Sequence, residues 1–313
     1  MTRRGGTSLL GTDAALAQRH DGERGRDLVA RYYSLTKPGV LYANVLTAVA
    51  GFLFGSRGTV DLALLLAVTG GTTLIVAAAT VLNNVLDRDI DQRMARTRTR
   101  ATVSGAITAR HATVFSAILG ITGTTLLVLC ATPLVVGIGI AGFVVYVWLY
   151  GALAKRRSLH GTLVGSLSGA APILAGYTAA AGGVDAAAVL LFVALFLWQL
   201  PEFYAIAIYR RQEYAAAGIP VITVVKGVRA TVHRIVAYTV LYAVTIALLG
   251  IFGGLGLTGT IVLSVVDASW VVLVLTGLSA RVDHDLWARR IFRFSLLAVL
   301  ALCLMISIDA LLP

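Results

Sequence analysis

Charge is scarce in this chain. Only 13% of its 313 residues are Asp, Glu, Lys or Arg, against 58% hydrophobic residues. Mean hydropathy is +0.86. That balance excludes an ordinary soluble domain and a disordered chain, and leaves a polytopic membrane protein. Cysteine is also scarce. Cys130 and Cys303 both sit in apolar runs, which excludes a disulfide framework and a thiolate metal cluster. The start, Thr2-Arg3-Arg4-Gly5, is not followed by an adequate apolar h-region, so no cleaved signal peptide is expected. Acids are fewer than bases, 15 against 26, for a net charge of +11. Alone, that excess could suggest a nucleic-acid partner.

The distribution of the bases argues otherwise. Apolar runs predict nine membrane helices, at about 38–54, 61–85, 112–130, 134–153, 161–180, 186–208, 235–253, 258–279 and 291–311. Residues 1–31 are polar, unpatterned and rich in Gly, Arg and Asp, and read as a flexible cytoplasmic tail. Residues 32–313 read as one membrane domain. With the tail inside, 25 of the 26 Lys and Arg residues fall on the inner side, and only Arg57 falls outside. The positive charge is therefore topological, and no nucleic-acid partner is expected. The fold class is all-α, a polytopic membrane protein of nine transmembrane helices.

The stretch with most chemical content runs from Asn83 to Arg100. Asn83, Asp87 and Asp91 are spaced by four, so a helix stacks them on one face, each step rising roughly 6 Å. Arginines follow, among them Arg96 and Arg100. Carboxylates hold Mg²⁺, which keeps waters and takes further ligands from substrate phosphates. Arginines grip phosphate oxygens in bidentate fashion. The combination points to a magnesium–diphosphate site at the membrane boundary. A solvated helix end would explain the arginines but not three acids within five residues.

A second, weaker acidic stripe follows Pro201. Glu202, Tyr209 and Glu213 fall at i, i+7 and i+11, one helical face if the helix continues. Alternatively they are loop charges with no common ligand, Glu202 pairing with Arg210 or Arg211. Asn44 reads as an interhelical hydrogen bond or a ligand. Asp267, at mid-depth in the eighth helix, is either functional or a protonated structural group. Gly161, Gly165 and Gly169, four apart, read as a packing face.

These motifs resemble the UbiA superfamily of intramembrane prenyltransferases, and within it the haem O synthase family of farnesyltransferases. The resemblance rests on Leu35-Thr36-Lys37-Pro38-Gly39, on Asn83-x-x-x-Asp87-x-x-x-Asp91 with Arg96 and Arg100, on the stretch from Gly161 to Pro172, on Phe203-Tyr204-Ala205-Ile206-Ala207-Ile208, and on Gly218-Ile219-Pro220 with Val224-Val225-Lys226-Gly227. It spans about residues 32–311. It implies nine helices around a central cavity, and transfer of farnesyl from farnesyl diphosphate to the vinyl group of haem b, with Mg²⁺ as cofactor, at the cytoplasmic face of the cell membrane. By motif, Asn83, Asp87 and Asp91 would be catalytic. Arg96, Arg100, Lys155, Arg156 and Lys37 would hold the diphosphate, and Asp87, Asp91, Glu202 and Glu213 the metal. Asn44, Tyr150, Tyr209 and Asp267 are candidates for the acceptor cavity. One departure stands out. Where those enzymes carry Pro-His-Phe, this chain reads Pro201-Glu202-Phe203. Histidine can ligate haem, so a smaller aromatic or quinone-precursor acceptor is the alternative reading.

Overall fold

The computed structural model describes residues 27–312. Most of the expected tail, 1–26, lies outside the described residues, while residues 27–35 are helical. Among the described residues, nine helices are long and apolar enough to cross a membrane. They are α1 Pro38–Gly55, α2 Leu62–Leu86, α3 Ala109–Cys130, α4 Pro133–Arg157, α5 Gly161–Ala181, α6 Ala186–Tyr209, α7 Ile222–Phe252, α8 Leu257–Leu278 and α9 His284–Leu311. The chain is a multi-pass, all-α membrane protein, as its composition requires.

Local chemistry sets the helix starts. Pro38 and Pro133 occupy first turns, where the missing N–H costs nothing. Asp61, Thr108, Asp185 and Asp283 cap α2, α3, α6 and α9 with their side chains. Two helices begin earlier than the apolar runs suggest. α9 starts at His284 rather than near 291, because Asp283 caps a polar first turn that hydropathy cannot register. α7 starts at Ile222 rather than near 235, in a stretch too polar for hydropathy to register as part of the span. It is interrupted at Gly227, whose φ of 82° breaks the helix. The buried Thr223 and Thr231 hydroxyls bridge that break at 3.0 Å.

Consecutive helices are neighbours, and α9 returns to pack on α1, closing a ring. α1 also packs along α5. Their backbones approach so closely that a Cβ on Gly176 would lie 1.9 Å from the Ala48 carbonyl oxygen. The largest core unites α5 to α9 around Tyr177, Leu191, Trp198, Tyr242 and Trp270. A smaller one joins α1 to α5 around Phe52, Ile75 and Leu127. At the end carrying the Asn83–Arg100 motif, the α2–α3 and α6–α7 connections pack together through Ile90, Met94, Ala217 and Ile219. At the other end, Arg57 donates to the Gly253 and Gly254 carbonyls, both at 2.9 Å.

Candidate active site

α2 ends at Leu86. Asp87 sits at its C-cap, and a short helix, Arg88–Asp91, continues from it. The break leaves the spacing of four intact. Asp87 N–H donates to the Asn83 carbonyl at 2.9 Å, and Asp91 N–H to the Asp87 carbonyl at 2.8 Å. Asn83, Asp87 and Asp91 are all buried.

Each is met by a cation from a different part of the chain. Lys37, between residues 27–35 and α1, donates to Asn83 Oδ1 at 2.6 Å. Lys155, near the end of α4, lies 2.5 Å from Asp87 Oδ2. Arg100, from the connection to α3, lies 2.6 Å from Asp91 Oδ2. Arg156 grips the exposed Asp89 with both amino groups, at 2.8 and 2.7 Å, and also donates to the Leu86 carbonyl.

α4 reaches this position through a π-helical segment, Val145–Ala154. A π turn is wider than an α turn and is common at functional sites. The segment brings Gly151 so close to the motif that a Cβ there would lie 3.0 Å from Asn83 Nδ2. Tyr146 and Tyr150 stack obliquely on this segment, ring centroids 5.6 Å apart. Tyr150 is within electrostatic reach of Lys155 and Asp87.

Burial, then the charge of Arg100, pushes the Lys37 ammonium down to about 7. Asp89 is held down at about 2, chiefly by its hydrogen bond from Arg156. Tyr214, from the α6–α7 connection, is raised by burial and lies within electrostatic reach of Tyr150, Lys155 and Arg96. That connection therefore lies beside the site.

The donor set fits a hard cation shared with an anion. Asp87 Oδ1 is buried and has no partner among the described residues. With cations beside it, the free Asp87 oxygen would be able to hold Mg²⁺, which would supply further positive charge to a bound phosphate. The acids do not form one cage, however. Among the described residues, no three of His, Cys, Asp and Glu gather as a metal group. Asp87 and Asp91 are turned toward Lys155 and Arg100, and Glu213 pairs with Arg210 at 3.1 Å.

The second stripe is thus not assembled against the first. Glu202 has no hydrogen bond or ion pair among the described residues. The salt bridge considered for it is absent, because Arg210 is held by Glu213 and Arg211 by Asp285. Pro201 lies inside α6, as expected. Tyr209 packs edge-on against Phe292, with the Arg289 guanidinium 4.6 Å from its ring centre. Asn44 donates to Val40 of its own helix at 2.7 Å, and so makes no interhelical bond. Arg96 is exposed. Asp267 is buried between α7, α8 and α9 with no bond to the motif. Gly161 and Gly165 approach α4, and Gly169 approaches Gln199 of α6. They serve packing, against two helices rather than one.

Sequence reasoning passed over Gly151, Tyr146, Asn84 and Tyr214. Asn84 donates to the Leu35 carbonyl at 2.7 Å and ties α2 to the segment before α1. The Asn83-Asn84 pair was its signal. The other three carry no local signal, because the π segment and the crossing loop place them.

A membrane helical ring with buried acids and three cations at one end defines an anion-handling intramembrane site. Comparison with known proteins gives the class more narrowly. The model of the UbiA prenyltransferase family matches residues 44–297, and the chain belongs to that family. It is 42% identical over 286 residues to the protoheme IX farnesyltransferase of Pectobacterium carotovorum, covering 91% of this chain and 97% of that protein. It is 42% identical over 284 residues to protoheme IX farnesyltransferase 2 of Chromobacterium violaceum, covering 90% and 94%. Among solved structures, a digeranylgeranylglyceryl phosphate synthase matches with a TM-score of 0.76 at 19% identity, over 90% of this chain and 98% of that one. A UbiA homolog from Archaeoglobus fulgidus bound to DMAPP and Mg²⁺ matches with a TM-score of 0.68 at 15% identity, over 89% and 99%.

Proposed function

We propose that this enzyme transfers the farnesyl group of farnesyl diphosphate to the vinyl group of haem b, with Mg²⁺, at the cytoplasmic face of the cell membrane. The observation that carries the reading is the cradle around Asn83, Asp87 and Asp91, three buried polar groups each met by a cation from a different element. The names of relatives 42% identical over nine-tenths of the chain supply the substrates.

Lys37, Lys155 and Arg100 supply three positive charges where leaving-group charge develops. Fixed charges of this kind act without reorganisation when the C–O bond breaks. Asp87 and Asp91 would hold Mg²⁺, whose role is to neutralise the diphosphate. Asn83 orients Lys37 through their 2.6 Å bond. Tyr214 and the α6–α7 connection, beside the site, would limit the access of water to a reactive allylic cation. The side chains lie at the end where, among the described residues, the basic residues other than Arg57 collect, which supports a cytoplasmic orientation.

Glu202 supports a second reading for the acceptor alone. It has no partner among the described residues and stands where the haem O synthases carry histidine, so a smaller aromatic is the competing acceptor. Incubating the purified protein with farnesyl diphosphate and haem b, followed by mass spectrometry of the haem fraction, separates the two. A haem gaining the farnesyl group supports haem as acceptor. Unchanged haem alongside turnover with a phenolic acceptor supports the other.

A further inference from the structure

The α7–α9 side of the bundle holds a second set of polar groups, unconnected to the diphosphate cradle. α8 has one ionisable residue, Asp267. Its inward face runs Gly259, Leu263, Asp267, Trp270 and Val274. The facing side of α7 presents Thr239 and Tyr242. The Tyr242 and Trp270 rings meet edge to face, centroids 5.5 Å apart. The Tyr242 hydroxyl is within electrostatic reach of Asp267 and of Cys303 on α9.

These groups are sealed from the surface. Thr239, Tyr242 and Trp270 are 0% exposed and Asp267 is 3% exposed. Yet Thr239 Oγ1, the Tyr242 hydroxyl, Asp267 Oδ2 and Trp270 Nε1 all lack a hydrogen-bond partner among the described residues. Two other indoles and a second threonine of α7 are satisfied, although Thr72 Oγ1 and the Tyr204 hydroxyl, far apart in sequence, also lack a partner among the described residues. Trp198 and Trp287 donate their indole N–H to the Ser295 and Leu273 carbonyls, at 2.7 and 3.2 Å. Thr245, two turns on from Thr239, donates to Leu241 at 2.8 Å. Buried polar groups are rarely left unpaired, and a cluster of them on facing helices marks a bound partner.

The donors and acceptors identify that partner. Tyr242 O–H and Trp270 N–H can both donate, and Trp270 cannot accept. Asp267 can accept. A water molecule has two lone pairs for the donors and protons for the carboxylate, within the two to four bonds that buried waters make. A metal cation would meet the indole N–H, which offers it no lone pair. We propose that Thr239, Tyr242, Asp267 and Trp270 enclose an internal water site in which ordered water joins α7 to α8 beside Cys303.

The test uses the full-length protein in nanodiscs. Tyr242→Phe and Asp267→Leu each lower Tm, and the double variant lowers it by less than their sum, because each alone strands the groups the water connects. Asp267→Asn keeps an acceptor oxygen and loses less than Asp267→Leu. It replaces Asp267→Leu in the cycle if that variant does not fold. A structure at water-resolving detail shows density within hydrogen-bond distance of Asp267 Oδ2. Additive Tm losses would overturn the proposal. So would direct contact among the side chains with no density between them. A Tm that rises with Na⁺ or K⁺ against choline would overturn it in favour of a bound cation.

Discussion

Lys155 Nζ lies 2.5 Å from Asp87 Oδ2, joining two helices across 68 residues of sequence. The carboxylate is completely buried and its second oxygen has no partner among the described residues. One acid thus meets a fixed cation on one side and offers an open oxygen on the other. That asymmetry suits a group shared between the protein and a bound metal–diphosphate.

Asp87→Ala and Asp91→Ala are each expected to reduce turnover by at least the ~10²–10³-fold typical of a lost electrostatic stabiliser. Asp89→Ala is expected to be far milder. Asp89 is exposed and pairs only with Arg156, and exposed pairs contribute little. Steady-state rates of inserted protein, with expression checked by blotting, decide this. Equal losses at all three positions would refute the one-faced arrangement.

Lys37 predicts a proton linkage. Its folded pKa of about 7 lies below its ordinary 10.5. Between those values the unfolded chain binds more protons than the native one, so this group makes stability rise with pH across that window. An arriving diphosphate favours the ammonium form. Diphosphate binding near pH 8 is therefore expected to take up a proton, and Lys37→Met to take up less. Calorimetry in buffers of different ionisation enthalpy reads this, and equal uptake by both proteins would remove Lys37 from the cradle.

Gly151 has room for little more than hydrogen. A Cβ there would sit 3.0 Å from Asn83 Nδ2. Gly151→Val is expected to push Asn83 away from Lys37, raising KM for the prenyl diphosphate while the protein still folds. An unchanged KM would show that the π segment does not position the cradle.

Sidedness gives a fourth expectation. Reporter fusions at Gly58, Gly183 and Gly256 should read as external, given the bias of 25 of 26 basic residues to the opposite side. A cytoplasmic signal at any of them would reverse the site's orientation.

Asn83, Asp87 and Asp91 were legible in the sequence because spacing of four survives the helix break at Asp87. The nine helices were legible from apolar length. What stayed hidden is what long-range packing decides. No local pattern announces that Val145–Ala154 winds as a π-helix and so delivers Lys155 to Asp87. Hydropathy misplaced the start of α7, because Thr223 and Thr231 satisfy each other across Gly227 and make a polar stretch compatible with helix. The Glu202–Tyr209–Glu213 periodicity was real on paper. It did not assemble one site, since Arg210 captures Glu213 and α6 ends at Tyr209.

The central claim is that the buried acids and their three cations form a magnesium-dependent diphosphate cradle. Binding of a non-ionising farnesyl thiodiphosphate analogue to the wild-type protein and to Asp87→Asn, each with and without Mg²⁺, tests it most directly. The expected result is tight binding to the wild type that requires Mg²⁺, and an Asp87→Asn protein whose affinity no longer responds to the metal. Mg²⁺-independent binding to the wild type, or identical magnesium dependence in both proteins, would contradict the account.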